Sequence, residues 1–131
     1  MVGLIIASHG EFCEGLKKTA EMFTGPIAQC MALPLQPGMT GEAYDLILEE
    51  AIDALDEGQG VVVMTDLKGG TPFNRCAGMV FRGKRIRVLT GMNLPMVMSV
   101  GLMLDRNIPM EEIAKEALEA AASGISAINK D

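Results

Sequence analysis

The chain has 131 residues, carries a net charge of -6 and is 49% hydrophobic. This length suits a single domain with a proper core, so we interpret residues 1–131 as one domain, and the acidic charge argues against nucleic acid as a partner. The apolar run at the N-terminus is too short to span a membrane and follows no basic segment, so we expect a cytoplasmic protein.

Strands and helices alternate in the first part of the chain. The continuous apolar run Val2–Ala7 predicts a first strand, which Ser8-His9-Gly10 ends. A helix that stops at Gly25 is expected next, because apolar residues recur at helical spacing, with an inward face formed by Phe12, Leu16, Ala20 and Phe23. The weaker strand Ile27–Leu35 contains a proline, which favours a short strand or an edge position in the sheet.

The second helix and the central strand follow. Thr40 can cap a helix that ends at Gly58, with a predicted buried stripe of Ala43, Tyr44, Ile47, Leu48, Ala51, Ile52 and Leu55. The β-branched run Val61–Met64 predicts a strand covered on both faces, as in a parallel sheet. A third helix should run from Thr71 to near Gly83 and turn inward the residues Phe73, Ala77 and Val80.

The last part of the chain continues the alternation. Arg85–Thr90 predicts a fourth strand, and Asn93 can cap a helix that continues to Met103. Another helix is predicted from Pro109 onward, because Glu111 and Glu112 favour its first turn and apolar residues recur at Ile113, Ala114, Ala117, Leu118 and Ala121. It should end at Gly124, and the short segment from there to Asn129 could pair as a final strand.

This alternation predicts the fold class. Strands separated by helices favour a doubly wound α/β fold with an open, mostly parallel sheet and helices on both of its faces. In such folds ligands bind beyond the carboxyl ends of the strands. His9, Asp66 and Thr90 end the first, third and fourth predicted strands, so we expect all three at one edge of the sheet.

A glycine loop follows the central strand. Lys68-Gly69-Gly70 leads into Thr71-Pro72, a residue suited to the N-cap followed by proline at the first helical position. Helix N-termini and glycine-rich turns present backbone N–H groups to anions. The sequence therefore predicts that a phosphate or carboxylate group could lie at Gly69–Thr71.

The lone histidine and Asp66 form a second candidate feature. A neutral imidazole can attack phosphorus when one ring nitrogen is free and a carboxylate accepts the N–H of the other. Asp66 would be that carboxylate for His9. The charge of the phosphoryl group would be received by N–H groups and hydroxyls, for which the candidates are Ser8, Gly10, Gly69, Gly70 and Thr71.

Plainer interpretations apply to the same residues. A single histidine is often only a capped or partly buried side chain, and an aspartate at a strand end is often a turn residue. A metal site needs more ligands than His9 and Asp66 offer, so we expect neither a metal nor a cofactor. Cys13, Cys30 and Cys76 are too widely spaced for a zinc site or a disulfide framework, which favours buried or inert thiols.

Three motifs together resemble a known family, the enzyme IIA component of the mannose class of the bacterial sugar phosphotransferase system. They are SHG at Ser8–Gly10, TDLKGGTPFN at Thr65–Asn74 and GMNLPM at Gly91–Met96. The resemblance covers essentially the whole chain. Thr71 stands where serine is also common, so the hydroxyl is kept.

The resemblance implies a phosphotransferase that works through a phosphohistidine. His9 would take a phosphoryl group from the phosphocarrier protein HPr and pass it to enzyme IIB, with Asp66 bonded to the other ring nitrogen. It also implies a homodimer in which the C-terminal segment is exchanged as an antiparallel strand, and peripheral association with the membrane sugar permease through IIB. The chain ends without a linker, so we expect a free-standing IIA.

Three other functions remain open from the sequence. A receiver-like signalling domain would be phosphorylated on Asp66 and use Thr90 as its switch hydroxyl, but it needs an acidic pair after the first strand to bind magnesium. An anion-binding module would use the glycine loop alone and leave His9 without a role. The phosphotransfer subunit of a dihydroxyacetone kinase shares the histidine, but the GGTPFN loop fits the sugar-transport group better.

Overall fold

The structure is a computed structural model that describes residues 1–130. Within this range the chain forms a parallel sheet of four strands, and the strand order is β2-β1-β3-β4. The strands are β1 (Gly3–His9), β2 (Cys30–Leu35), β3 (Val61–Thr65) and β4 (Ile86–Leu89). The predicted α/β class is therefore confirmed, as is the edge position of the proline-containing strand.

Helices cover both faces of the sheet, as a doubly wound fold requires. They are α1 (Phe12–Thr24), α2 (Gly41–Leu55), α3 (Thr71–Phe81), α4 (Leu94–Gly101) and α5 (Met110–Ser123), and a short 3-10 turn, Leu104–Arg106, precedes α5. One face packs against α1, α4 and α5, and the other packs against α2 and α3. Successive residues of β1 alternate between the two cores, with Leu4 and Ile6 in the first and Ile5 and Ala7 in the second.

The predicted caps of two helices are confirmed. The Thr40 hydroxyl accepts a hydrogen bond from the N–H of Ala43 at 3.1 Å and so begins α2. The side chain of Asn93 accepts one from the N–H of Met96, also at 3.1 Å, and so begins α4. These bonds satisfy donors that the first turn of a helix otherwise leaves unpaired.

The inward faces of α1 and α3 differ from the prediction. Helix α1 buries Cys13, Leu16 and Ala20, whereas Phe12 and Phe23 are exposed. Helix α3 buries Pro72, Cys76 and Met79 in place of the expected Phe73, Ala77 and Val80. The N-cap of α3 is Gly70, one residue before the predicted Thr71, and the buried stripe is shifted by the same one residue, or about 100° of helix rotation.

Three more residues that the sequence placed in the core are exposed. They are Ala43 and Ile47 of α2 and Leu118 of α5. In α2 the register is set by Tyr44, which is fully buried and donates its hydroxyl hydrogen to the carbonyl oxygen of Leu33 at 2.5 Å. Because this bond ties the helix to the edge strand β2, the aromatic ring takes the central position and its neighbours turn outward.

The C-terminal segment leaves the domain at the edge where the strands end. The side chain of Asn93, which follows β4, donates a hydrogen bond to the carbonyl oxygen of Ala121 at 3.0 Å and so holds the end of α5 beside the start of α4. Residues 125–130 carry no strand pairing within residues 1–130 and are exposed. Exchange of this segment between two subunits stays a prediction.

The three thiols are free, and burial raises the pKa of each. Cys13 lies in the core under α1, and Cys76 lies in the core under α3. Burial raises the pKa of Cys30 and of Cys76 to about 12, so these groups stay protonated at neutral pH. Across residues 1–130 the helices are too short or too polar for any of them to span a membrane.

Candidate functional site

The fold brings His9 and Asp66 together at the carboxyl edge of the sheet. His9 is the last residue of β1, and Asp66 directly follows the adjacent strand β3, in which Thr65 is paired with Ala7 of β1. Nδ1 of His9 lies 2.9 Å from Oδ2 of Asp66 although the two residues are 57 positions apart. The parallel pairing of two short strands therefore creates this contact, as the positions of the residues at strand ends predicted.

The Asp66 carboxylate accepts two further hydrogen bonds from the backbone. The N–H of His9 donates to Oδ2 at 2.9 Å, and the N–H of Leu67 donates to Oδ1 at 2.9 Å. Partial burial acts to raise the pKa of Asp66, but the hydrogen bonds from His9 and Leu67 outweigh it and hold the pKa below its ordinary value. The carboxyl group is therefore a charged acceptor at neutral pH.

This carboxylate determines which nitrogen of the imidazole is available. An acceptor at Nδ1 favours the tautomer that carries its proton there and leaves a lone pair on Nε2. The side chain of His9 is 48% exposed, whereas that of Asp66 is 15% exposed. The ring is therefore held through Nδ1 against the more buried carboxylate, while about half of the His9 side chain remains exposed.

Gly70 lies directly against the imidazole. A Cβ atom at this position would be 2.7 Å from Cε1 of His9, closer than real side-chain contacts allow, and 3.4 Å from Nε2. The N–H of Gly70 donates to the carbonyl oxygen of Leu67 at 3.0 Å. Gly70 therefore makes space for the ring, and its N–H closes the loop instead of standing free for an anion as the sequence suggested.

Ser8 and Gly10 also have roles that differ from the predicted contact with a phosphoryl group. The buried Ser8 hydroxyl donates to the carbonyl oxygen of Gly10 at 3.1 Å and accepts from the N–H of Cys13 at 2.8 Å. The N–H of Gly10 donates to the carbonyl oxygen of Leu35 at 2.9 Å, and its φ of 58° suits glycine. Both residues build the tight turn between β1 and α1 that holds His9.

The first turn of α3 is a candidate source of donors for an anion. The N–H groups of Thr71 and Phe73 belong to this turn, where helices lack internal acceptors, and helix dipoles favour negative charge at this end. Gly69, with a φ of 83°, and Asn74, whose side chain donates to the carbonyl oxygen of Gly69 at 3.0 Å, shape the loop before it. Asn74 was not singled out from the sequence, although it closes the TPFN motif.

Within residues 1–130, the other polar residues near this edge form no hydrogen bond with the side chain of His9 or Asp66. Lys68 is exposed at the tip of the loop. The hydroxyl of Thr90 is buried and has no hydrogen-bond partner within residues 1–130. In that same range no three histidine, cysteine, aspartate or glutamate side chains converge in a way that could hold a metal ion.

The chain is similar in sequence and in structure to a group of known proteins. The model of the EIIA-man family, described as PTS system fructose IIA component, matches residues 3–121. The PTS system mannose-specific EIIAB component of Escherichia coli is 28% identical over 127 residues, which are 97% of this chain and 39% of that protein. The chain thus spans well under half the length of this relative.

Two further similar proteins have lengths closer to that of this chain. The PTS system fructose-specific EIIA component of Bacillus subtilis is 27% identical over 86% of this chain and 77% of its own length. The crystal structure of the phosphotransferase system component EIIA from Streptococcus agalactiae superposes with a TM-score of 0.88 and 26% identity, covering 97% of both chains.

Replacing Gly70 with alanine tests the packing of the imidazole. The added methyl group should push the ring away from Asp66, because the contact with Cε1 would be only 2.7 Å. We expect the ¹⁵N signals of Nδ1 and Nε2 to move closer together as the fixed tautomer is lost, with a loss of about 1–3 kcal/mol in the free energy of unfolding. Gly15→Ala is the control, since its methyl group meets nothing within 4 Å. Unaltered ring signals in Gly70→Ala would contradict this description.

Proposed function

The chain belongs to the EIIA-man family of the sugar phosphotransferase system, and from that premise we propose that His9 carries a phosphoryl group between two proteins during sugar uptake. The donor is phosphorylated HPr and the acceptor is a histidine of enzyme IIB. The observation that carries the proposal is the contact of 2.9 Å between Nδ1 of His9 and the Asp66 carboxylate, which leaves the lone pair on Nε2 of a half-exposed ring.

The transfer step uses the lone pair of Nε2. This nitrogen attacks the phosphorus of the donor phosphohistidine, the donor P–N bond breaks, and its electron pair returns to the donor nitrogen. The ring of His9 then carries a positive charge, because Nδ1 keeps its proton while Nε2 bonds to phosphorus. Asp66 stabilises that charge and holds the ring in line for the transfer. The reverse sequence on IIB regenerates the neutral imidazole.

The phosphoryl oxygens need donors on the exposed side of the ring. The N–H groups of Thr71 and Phe73 at the start of α3, the Thr71 hydroxyl and the loop at Gly69 would receive them. Ser8, Gly10 and Gly70 hold the two turns in place instead, because their polar groups already have partners within the domain. Catalysis in this proposal is mainly positioning and electrostatic stabilisation.

The alternative functions receive less support from the geometry. A receiver-like domain needs a free carboxylate as nucleophile, whereas Asp66 accepts hydrogen bonds from His9 and Leu67 on both of its oxygens. A module that only binds anions leaves the exposed, oriented imidazole without a role. We therefore propose a cytoplasmic phosphoryl carrier that reaches the membrane permease through IIB.

We further propose a homodimer in which the C-terminal segment pairs with the partner subunit. Ile125 and Ile128 are 76% and 96% exposed, an unfavourable state for large apolar side chains unless another surface covers them. β4 has a neighbour on one side only, so its outer edge can accept one more strand. The segment begins beside the end of that strand, which suits an antiparallel addition.

His9→Ala should abolish phosphorylation from phosphoenolpyruvate through enzyme I and HPr, because the proposed nucleophile is removed. The measurement is incorporation of labelled phosphate, and the wild-type label should be acid-labile and base-stable, as phosphohistidine is. Since the side chain is half-exposed, the variant should keep its fold, which circular dichroism checks. Normal labelling of His9→Ala would overturn the assignment.

Asp66→Asn should slow the transfer by roughly 10²–10⁴-fold, because an amide neither fixes the same tautomer nor stabilises the cation. Hydrogen bonds from His9 and Leu67 hold the pKa of Asp66 below its ordinary value, so its carboxylate is charged at neutral pH and the wild-type rate should show no titration of this group between pH 5 and 9. Rapid-quench kinetics provides the rate at each pH. The control is Asp105→Asn, an exposed aspartate in the 3-10 turn that precedes α5, and equal rates for both variants would remove the role of Asp66.

Deleting residues 125–131 should weaken the dimer at least about tenfold, because the exchanged strand and its two isoleucines are lost. Sedimentation equilibrium gives the dissociation constant. A milder variant with Ile125→Ser and Ile128→Ser should fall between the wild type and the deletion. A truncated chain that remains a full dimer, or a wild-type chain that is a monomer, would contradict strand exchange.

A further inference from the structure

Thr65 places a hydroxyl at the end of an otherwise apolar strand. It is the last residue of β3 and is fully buried, and the residues before it, Val61–Met64, are all apolar. A buried hydroxyl is costly unless it has a hydrogen-bond partner, and valine has a similar shape without that cost. The Thr65 hydroxyl has such a partner, because it donates to the carbonyl oxygen of Leu89, the last residue of β4, at 2.7 Å.

This bond extends the contact between β3 and β4 past the end of their ladder. The last registered pair of the two strands is Met64 with Leu89, one residue before Thr65. Beyond that pair, the backbone carbonyl of Thr65 accepts a second bond from the N–H of Met92 at 3.1 Å. Gly91, whose φ is 72°, turns the chain so that Met92 returns to this strand end. Thr65 is thus attached to the β4–α4 connection by its side chain and by its backbone.

The same residue is attached to β1 on its other side. Thr65 pairs with Ala7 in the register of β1 and β3. Asp66 follows directly, and its carboxylate accepts hydrogen bonds from the backbone N–H and from Nδ1 of His9, both at 2.9 Å. Strand ends fray when few hydrogen bonds hold them. Bonds on both sides of Thr65 therefore limit the movement of the peptide that carries Asp66.

We propose that Thr65 is a positioning residue, whose bonds to the β4–α4 connection keep the carboxylate of Asp66 where it meets Nδ1 of His9. This gives the GMNLPM motif at Gly91–Met96 a part in the site, because Met92, which donates to Thr65, belongs to it. The inference rests on the proposed function where it concerns the rate of transfer. Thr65 is completely buried, so it acts through Asp66 and not by contact with the donor protein.

Thr65→Val removes the hydroxyl and keeps the branched shape of the side chain. We expect the ¹⁵N signals of Nδ1 and Nε2 of His9 to move closer together, because a less firmly placed carboxylate fixes the tautomer less completely. The kcat with phosphorylated HPr should fall about fivefold, with KM within about twofold of the wild type, since one hydrogen bond is lost and no surface contact changes. Long-range ¹H–¹⁵N spectra and rapid-quench kinetics of the full chain provide the two readouts.

Thr90→Val is the matched control. The Thr90 hydroxyl is also buried and lies one residue beyond Leu89, but it has no hydrogen-bond partner in the part of the chain that the structure describes. Its removal should therefore leave the ring signals and kcat unchanged. Thr65→Ser keeps the bonded hydroxyl and should retain the wild-type ring signals and a kcat within about twofold. If Thr65→Val does not fold, Thr65→Ser and Thr65→Ala provide the same comparison, because they differ by the hydroxyl alone.

The outcomes distinguish this inference from the proposed function. If the wild type takes no label from phosphorylated HPr, the proposed function fails, while altered ring signals in Thr65→Val would still support the placement of Asp66 by Thr65. Unchanged ring signals in Thr65→Val would overturn the inference, and so would altered signals with an unchanged kcat. An equal effect of Thr90→Val would also overturn it, because any substitution near the end of β4 would then disturb the site. A serine variant as impaired as the valine or alanine variant would contradict a role for the hydroxyl.

Discussion

The hydrogen bond between Nδ1 of His9 and the Asp66 carboxylate is the constraint on which the site depends. It joins two residues that lie 57 positions apart, and it exists because β1 and β3 are neighbours that end at the same edge. The carboxylate also accepts the backbone N–H of His9, so it fixes the peptide and the ring of the same residue. Without this double attachment, an exposed imidazole at the end of a strand would sample several rotamers.

The neighbouring turns keep the ring of His9 in the position that this hydrogen bond defines. Ser8 and Gly10 close the turn after β1, and Gly70 leaves space beside the ring. The start of α3 lies next to the imidazole, because its N-cap Gly70 is in contact with the ring, and a helix N-terminus favours an anion. These groups belong to the β1–α1 and β3–α3 connections, whose strands are neighbours in the sheet. The first connection holds His9, and the second places Gly70 against its ring.

Sequence patterns were sufficient to predict the architecture and the central pair. Continuous apolar runs and helical spacing gave the strands and helices, and the ends of parallel strands placed His9 and Asp66 together. The buried faces of the helices were harder to predict. Which face of α1 and α3 turns inward depends on small buried residues such as Cys13 and Cys76 instead of their larger neighbours. The sequence pattern also did not predict the hydrogen bonds of the loops, because a serine hydroxyl or a glycine N–H has many possible partners until the turn has formed.

The distribution of the thiols has a practical consequence. Cys13 lies in one apolar layer and Cys76 in the other, both fully covered and with pKa values raised by burial. Only the thiolate reacts with disulfide reagents, so modification must wait until the layer around each sulfur opens. The modification rate of each of these two thiols therefore reports how often the apolar layer around it opens. Comparing the two modification rates under native conditions would reveal which side of the sheet is uncovered first, without any introduced label.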